Sequence, residues 1–78
     1  MEILEFVNNL SDVLELADSS ILKLETKFRD LEEWGSMSVL SLIAMADEEY
    51  GVELEPEEIK KAQTIEDLYN IIKTKKGE

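Results

Sequence analysis

The side chains that could do chemistry here are hydroxyls, amines and carboxylates, because the 78-residue sequence has no histidine and no cysteine. Without an imidazole or a thiol, the usual general base and the strongest nucleophile of enzymes are both missing. The acidic run at 47–49, followed by Glu53 and Glu55, superficially resembles a calcium loop. It lacks the alternating ligands and the central glycine of such a loop. We therefore expect neither an enzyme nor a dedicated metal site.

One hydroxyl has a favourable position. Ser36 follows Gly35 at the predicted start of a helix, where position alone favours a role as the N-cap. A phosphodiester on the Ser36 oxygen would face the unpaired N–H groups and the positive dipole end of that helix, both of which favour an anion. Ser36 is thus a candidate for covalent modification as well as a candidate cap.

The charge distribution restricts the partners. The net charge is −11, and the segment from Asp30 to Ile59 has ten acidic residues and no lysine or arginine. Such a surface repels phosphate backbones and anionic membranes, so we expect neither nucleic acid nor a membrane as partner. Basic protein surfaces are the natural counterpart, although an acidic surface kept only for solubility gives the same composition. The N-terminus shows no secretory signal pattern, and without cysteine the chain makes no disulfide, so a cytoplasmic location is expected.

The apolar spacing predicts an all-α domain of four helices over residues 1–78. A first helix spans residues 3–14, and a long loop with one helical turn near residues 26–31 follows it. The second helix runs from Ser36 to Tyr50, where Gly51 suits the left-handed position that ends many helices. The third opens at Pro56 and ends near residue 61 or 62. The fourth follows Thr64, which forms a variant capping box with Asp67.

The second helix has two apolar faces. A stripe about 100° wide is suited to the core, and its members are Val39, Leu42, Ile43, Ala46 and Tyr50. The opposite face has Met37, Leu40 and Ala44 among polar and acidic neighbours, namely Ser41, Asp47 and Glu48. An exposed apolar patch rimmed by carboxylates suits docking to a basic partner. The alternative is that Met37 and Leu40 pack under the preceding loop.

Five segments together resemble an acyl carrier protein, a member of the phosphopantetheine-binding carrier family. They are FRDLEEWGSM at 28–37, LSLI at 40–43, DEEYGV at 47–52, PEEI at 56–59 and TIEDL at 64–68. The resemblance covers essentially the whole chain and implies a four-helix acyl-carrier-like bundle. The family usually has Asp-Ser-Leu at its attachment site. Gly35 therefore departs from the family pattern, in which the acidic residue before the serine helps the modifying transferase engage. Met37 stands in place of the leucine and can supply the same apolar contact.

This resemblance implies a function and a set of partners. A phosphopantetheinyl transferase would move a 4'-phosphopantetheine arm from coenzyme A to Ser36, flanked by Gly35 and Met37, and the arm would hold an acyl or aminoacyl group as a thioester. Acyl-loading and acyl-processing enzymes with basic surfaces would read the exposed face, made of Met37, Leu40, Ser41, Ala44, Asp47 and Glu48. The pathway would be fatty-acid or specialised metabolite biosynthesis, and the protein would act as a monomer. The alternative is an acidic helical interaction module without an arm.

Overall fold

The four predicted helices are present in the computed structural model, which describes residues 2–16 and 19–77. They are α1 (Ile3–Val13), α2 (Ser36–Tyr50), α3 (Pro56–Lys61) and α4 (Ile65–Lys75). The long loop between α1 and α2 contains two short 3₁₀ turns, Ser19–Ile21 and Phe28–Asp30. The second confirms the predicted helical turn, whereas the first was not predicted. The all-helical fold class, with a long first loop and a short third helix, is confirmed.

All four helices and the loop contribute to one apolar core. Its most deeply buried members are at most 2% exposed, and they are Phe6, Leu10, Phe28, Leu42, Ala46, Leu54, Ile59, Ala62, Ile65, Leu68 and Ile72. The predicted core stripe of α2 is confirmed at Leu42, Ala46 and Tyr50, while Val39 and Ile43 are half-buried. Met45 is also buried, beyond the predicted stripe. Within the described residues, no helix is long and apolar enough to cross a bilayer.

The first helix ends one residue before its predicted end. Leu14 is the C-cap, and Glu15 after it has a φ of 57°, in the left-handed region. The Glu15 N–H donates to the Asp12 carbonyl (3.1 Å) and the Leu16 N–H to the Ser11 carbonyl (3.0 Å). These two bonds form a Schellman motif. A glutamate rather than glycine occupies its left-handed position, which costs about 1–2 kcal/mol in backbone strain.

The middle of this loop is fastened to the junction between α3 and α4. The Ile65 N–H donates to the Thr26 carbonyl (3.0 Å), and the Glu66 N–H donates to the Leu24 carbonyl (3.0 Å). Loop carbonyls thereby satisfy two first-turn N–H groups of α4 that have no partner inside that helix. Arg29 adds a second fastening, because its guanidinium donates to the Lys60 carbonyl (2.8 Å) and to the Ala62 carbonyl. The long loop is therefore held at its middle.

The predicted boundaries of the later helices are confirmed by their caps. Gly51 has a φ of 64° at the end of α2, and its N–H donates to the Asp47 carbonyl (3.0 Å). Pro56 is the first residue of α3. At the start of α4, the Asp67 N–H donates to Thr64 Oγ1 (3.2 Å), and the Thr64 N–H donates to Asp67 Oδ2 (3.2 Å). The predicted capping box is present.

Candidate functional site

The interpretation of Ser36 as the N-cap is wrong. A capping Ser36 would make Met37 the first residue of α2, but the helix begins at Ser36 itself. Gly35 is the N-cap and Ser36 the first helical residue. The capping hydroxyl belongs to Ser38, whose Oγ accepts the Gly35 N–H (3.0 Å) and donates to the Glu33 carbonyl at 3.4 Å. Sequence reasoning missed this role, although a serine three residues after the cap is the position from which a capping box returns to the cap N–H.

The two serines consequently have different surroundings. Ser38 is buried, at 8% exposure. Ser36 is exposed, and no residue in the described ranges forms a hydrogen bond with its hydroxyl. The Ser36 hydroxyl is therefore accessible and has no part in holding the helix end together.

The backbone around Ser36 favours an anion. Ser36 opens a helix of 15 residues, whose first N–H groups have no intrahelical carbonyl partner. The Ser38 N–H is taken by the Gly35 carbonyl at 3.0 Å. The N–H groups of Ser36 and Met37, together with the helix dipole, stabilise a negative charge near the hydroxyl by about 0.3–1 kcal/mol.

Ser36 opens onto a groove between the end of α1 and the start of α2. We call it the attachment groove, and it has a volume of about 410 Å³. Its walls combine apolar, hydroxyl and carboxylate groups, from Val13, Leu14, Glu15, Glu33, Gly35, Ser36, Met37, Ser38 and Ser41. The predicted attachment residues Gly35, Ser36 and Met37 all lie on this wall. A group bound to Ser36 thus has space beside it.

The outer face of α2 is exposed, as predicted. Met37 is 69% and Leu40 60% exposed, so the alternative in which they pack under the loop is wrong. The polar and acidic members of the same face are exposed as well, and they are Ser41, Ala44, Asp47 and Glu48. No group of three or more carboxylates in the described part of the chain is arranged to hold a metal ion. This face combines two large apolar side chains with a carboxylate rim.

The segment leading to Ser36 is anchored by aromatic packing. Trp34 is half-buried, and its ring meets Phe28 edge-on with centroids 4.8 Å apart and planes at 65°. On the same Phe28 ring lies the Arg29 guanidinium, 5.4 Å from the centroid. Phe28 itself is fully buried. The backbone two residues before Ser36 is therefore held against the core while the serine remains exposed.

The comparisons with known proteins identify the family. The model of the phosphopantetheine attachment site matches residues 5–72, most of the chain. No solved structure matches the chain. The chain therefore belongs to the phosphopantetheine-binding carrier family, which confirms the family resemblance of the sequence. This family is defined by a covalently attached 4'-phosphopantetheine.

The residues of the structure fit such a group. Three features lie together at Ser36. Its hydroxyl is accessible and has no hydrogen-bond partner in the described chain. The start of α2 supplies unpaired N–H groups, and the attachment groove lies beside it. Met37 and Gly35 flank the hydroxyl without covering it, since both are exposed. Ser36 would hold the phosphate end of the group, and the helix start would stabilise its charge.

Proposed function

We propose that the protein is an acyl carrier whose arm is attached to Ser36 and presents an acyl or aminoacyl group as a thioester. The observation that carries this proposal is the division between the two neighbouring serines. Ser38 supplies the cap bond to Gly35 at 3.0 Å, which leaves the exposed Ser36 hydroxyl available for reaction. Biosynthesis of fatty acids or of specialised metabolites is the pathway class that this function serves.

The attachment step follows from the chemistry of the hydroxyl. Ser36 Oγ forms a bond to the phosphorus that bears the pantetheine arm in coenzyme A, the pyrophosphate bond breaks, and adenosine 3',5'-bisphosphate leaves. The hydroxyl proton passes to a base of the phosphopantetheinyl transferase, because this chain has no histidine to accept it. The bound group supplies a terminal thiol, which forms thioesters. Carrier domains of this family are typically non-catalytic.

The outer face of α2 is the docking surface in this proposal. Acyl-loading and acyl-processing enzymes with basic surfaces would contact Met37 and Leu40 at its centre and the Asp47 and Glu48 carboxylates at its rim. Charge complementarity of this kind accelerates encounter and selects partners more than it lengthens residence. A shuttle needs that behaviour, because it must leave each enzyme after transfer. We also infer that the chain acts as a cytoplasmic monomer, in keeping with its acidic, cysteine-free composition.

Intact mass spectrometry tests the proposal. The wild-type protein, incubated with coenzyme A and a broad-specificity phosphopantetheinyl transferase, is expected to gain the mass of one phosphopantetheinyl group. Ser36→Ala is expected to gain nothing, because it lacks the reacting oxygen. Ser20→Ala is the matched control, since Ser20 is an exposed serine outside the docking surface and the attachment groove, and it should gain the full mass.

Two outcomes would contradict the proposal. A wild-type protein that stays unmodified under conditions that load another carrier would favour the acidic interaction module. Modification of Ser36→Ala would place the arm elsewhere. Ser36→Ala should keep the wild-type melting temperature, because the hydroxyl makes no hydrogen bond within the described chain, so a loss of loading cannot be ascribed to unfolding.

A further inference from the structure

The five residues before Ser36 lie outside any helix and connect the second 3₁₀ turn to α2. We call these residues, 31–35, the approach segment. At its start, the Leu31 N–H donates to the Phe28 carbonyl (3.2 Å), and the Trp34 N–H donates to the Leu31 carbonyl (3.1 Å). Irregular backbone opens locally at little cost unless buried contacts hold it. The orientation of Ser36 therefore depends on what fixes this segment.

One aromatic ring connects the approach segment to the rest of the loop. The Trp34 ring meets the buried Phe28 ring edge-on, with centroids 4.8 Å apart. The Arg29 guanidinium lies 5.4 Å from the centroid of the same Phe28 ring, within the range of a cation–π contact. Arg29 and Trp34 thus share Phe28 as a neighbour.

The end of α3 fixes Arg29 in turn. Its guanidinium donates to the Lys60 carbonyl (2.8 Å) and to the Ala62 carbonyl. The last carbonyls of a helix have no partner inside that helix, so they are available to a donor from the loop. A planar guanidinium can serve two carbonyls and face a ring at once, which an ammonium group cannot do. Because the Arg29 side chain is otherwise exposed, these contacts determine where it lies.

We propose that Arg29 is a positioning residue for the attachment reaction at Ser36. Through Phe28 and Trp34, it joins the approach segment to the end of α3 and so presents the Ser36 hydroxyl to the transferase in one orientation. The polar and ring contacts of Arg29 in the described chain are with Phe28 and the end of α3, so it acts through other residues. The inference rests on the function proposed for Ser36 and adds a residue outside the attachment groove.

Loading kinetics of Arg29→Lys test the inference. The variant keeps the charge but lacks the planar fork. Intact mass follows loading at saturating coenzyme A with the carrier as the varied substrate, at a temperature where melting curves show every variant folded. We expect kcat to fall about tenfold with KM little changed, since a misplacement of about 1 Å can cost about a hundredfold. Such a split indicates an interaction that matters in the reacting complex rather than in docking.

Lys27→Gln is the matched control. Lys27 is an exposed cation of the same loop, and its ammonium group has no partner in the described ranges. The variant removes a charge without touching the contacts of Arg29, so it should keep the wild-type kcat. Equal losses of kcat in Lys27→Gln and Arg29→Lys would overturn the inference, because the position of the guanidinium would then have no special part.

A double variant tests whether Arg29 acts through the rings. Trp34→Leu removes the ring contact with Phe28 and should itself lower kcat. Addition of Arg29→Lys to Trp34→Leu should then lower kcat by less than about twofold more, because residues that act through one another are not additive. Losses that multiply in full would overturn the inference, since they would mean that the two residues act independently.

Amide shifts give a readout that does not depend on the transferase. In the unloaded ¹⁵N-labelled protein, Arg29→Lys should shift the amides of residues 31–35 as well as those near Lys60, whereas Lys27→Gln should leave residues 32–35 unchanged. Shifts of Arg29→Lys that stop at residue 30 would overturn the inference.

The remaining outcomes separate this inference from the function on which it rests. A wild-type protein that gains no mass would overturn the attachment at Ser36 and the role of Arg29 together. A wild type that loads, with Arg29→Lys at the same kcat, would overturn the role of Arg29 only. A raised KM with an unchanged kcat would also overturn it, because it would place Arg29 in the surface that docks the transferase.

Discussion

Two serines in the first turn of α2 show how one residue type has two different surroundings at positions two residues apart. The Ser38 hydroxyl bonds the Gly35 N–H and is buried, while the Ser36 hydroxyl is exposed. A residue that held the helix end could not be modified without loosening it. Because the Ser38 hydroxyl supplies the bond at the helix start, a modification of Ser36 would leave that start intact.

Gly35 supports a prediction at this scale. Its φ of −150° is extended backbone open to any residue, and a Cβ there meets nothing within 4 Å. Gly35→Asp should therefore fold, and its carboxylate can accept the unpaired Met37 N–H as an N-cap, which raises the free energy of unfolding by a few tenths of a kcal/mol. It also restores the acidic residue that the family usually has before the serine, so the transferase should load it faster.

Gly35→Asn is the matched control, because asparagine caps a helix about as well without the charge. Initial rates of mass gain with the same transferase compare the three proteins. The expected order is Asp faster than Asn, with Asn close to wild type. Equal rates for Asp and Asn would show that the transferase does not read this charge.

Sequence patterns identified the predicted attachment residue, Ser36, but not the serine that caps the helix, Ser38. The family segments converge on Ser36, and its exposure agrees with the predicted attachment site, which itself stays a prediction. The N-cap interpretation failed because the helix starts with Gly35 as its cap, a position fixed by the return bond from Ser38. Which of two nearby serines caps a helix depends on a one-residue difference in register, and composition alone does not determine it.

At the scale of elements, the start of α4 supports a prediction about pH. The Asp67 carboxylate accepts N–H bonds from Gln63 (2.9 Å) and Thr64 (3.2 Å), and these bonds lower its pKa below the usual 3.8. A carboxylate whose pKa is lower in the folded than in the unfolded protein stabilises the fold at pH values above its unfolded-state pKa. This contribution is lost as the pH falls through its folded-state pKa. Asp67→Asn should therefore melt below wild type at pH 7, by an amount that shrinks below about pH 4.

Melting temperatures of both proteins between pH 2 and pH 7 provide the measurement. Glu66→Gln is the control, because Glu66 lies in the same first turn and is exposed, yet it lacks the two backbone bonds. At pH 7 the melting temperature of Glu66→Gln should differ less from that of wild type than the melting temperature of Asp67→Asn does. A difference between Asp67→Asn and wild type that persists unchanged to pH 2 would contradict the prediction.

Helix boundaries were predictable wherever a residue with restricted backbone or a capping side chain marks them. Gly51, Pro56 and Thr64 each fix an end of a helix, and the structure agrees at all three. The sequence predicts the end of α1 one residue too late. Glycine usually occupies the left-handed position after a helix and reveals its end in the sequence, but here Glu15 occupies it. The bonds of the long loop to α4 were not predictable, since backbone carbonyls such as Thr26 have no sequence signature.

At the scale of the whole molecule, charge opposes folding. The net charge is −11, with the acidic residues concentrated between Asp30 and Ile59. The ion pair between Lys75 Nζ and Glu58 Oε1 (3.0 Å) is partly exposed, and such pairs contribute only up to about 1 kcal/mol. We therefore expect repulsion among the carboxylates to outweigh this pair at low salt.

Salt should consequently stabilise the protein. The Debye length falls from about 10 Å at 0.1 M to about 3 Å at 1 M salt, so the melting temperature should rise as NaCl is increased over this range. Glu32→Gln with Glu33→Gln removes two exposed charges from the acidic segment and should show a smaller rise. Calorimetry at several salt concentrations makes the comparison. A melting temperature that falls with salt would mean that ion pairs dominate.

The packing of Trp34 has an optical consequence. It is the sole tryptophan of the sequence, and its indole lies against Phe28, two residues before Ser36 along the chain. Fluorescence excited at the red edge of protein absorption therefore arises from one place on the molecule. Any event that displaces this ring, such as the arrival of a transferase or the seating of a cargo, would change the emission of the unlabelled native protein.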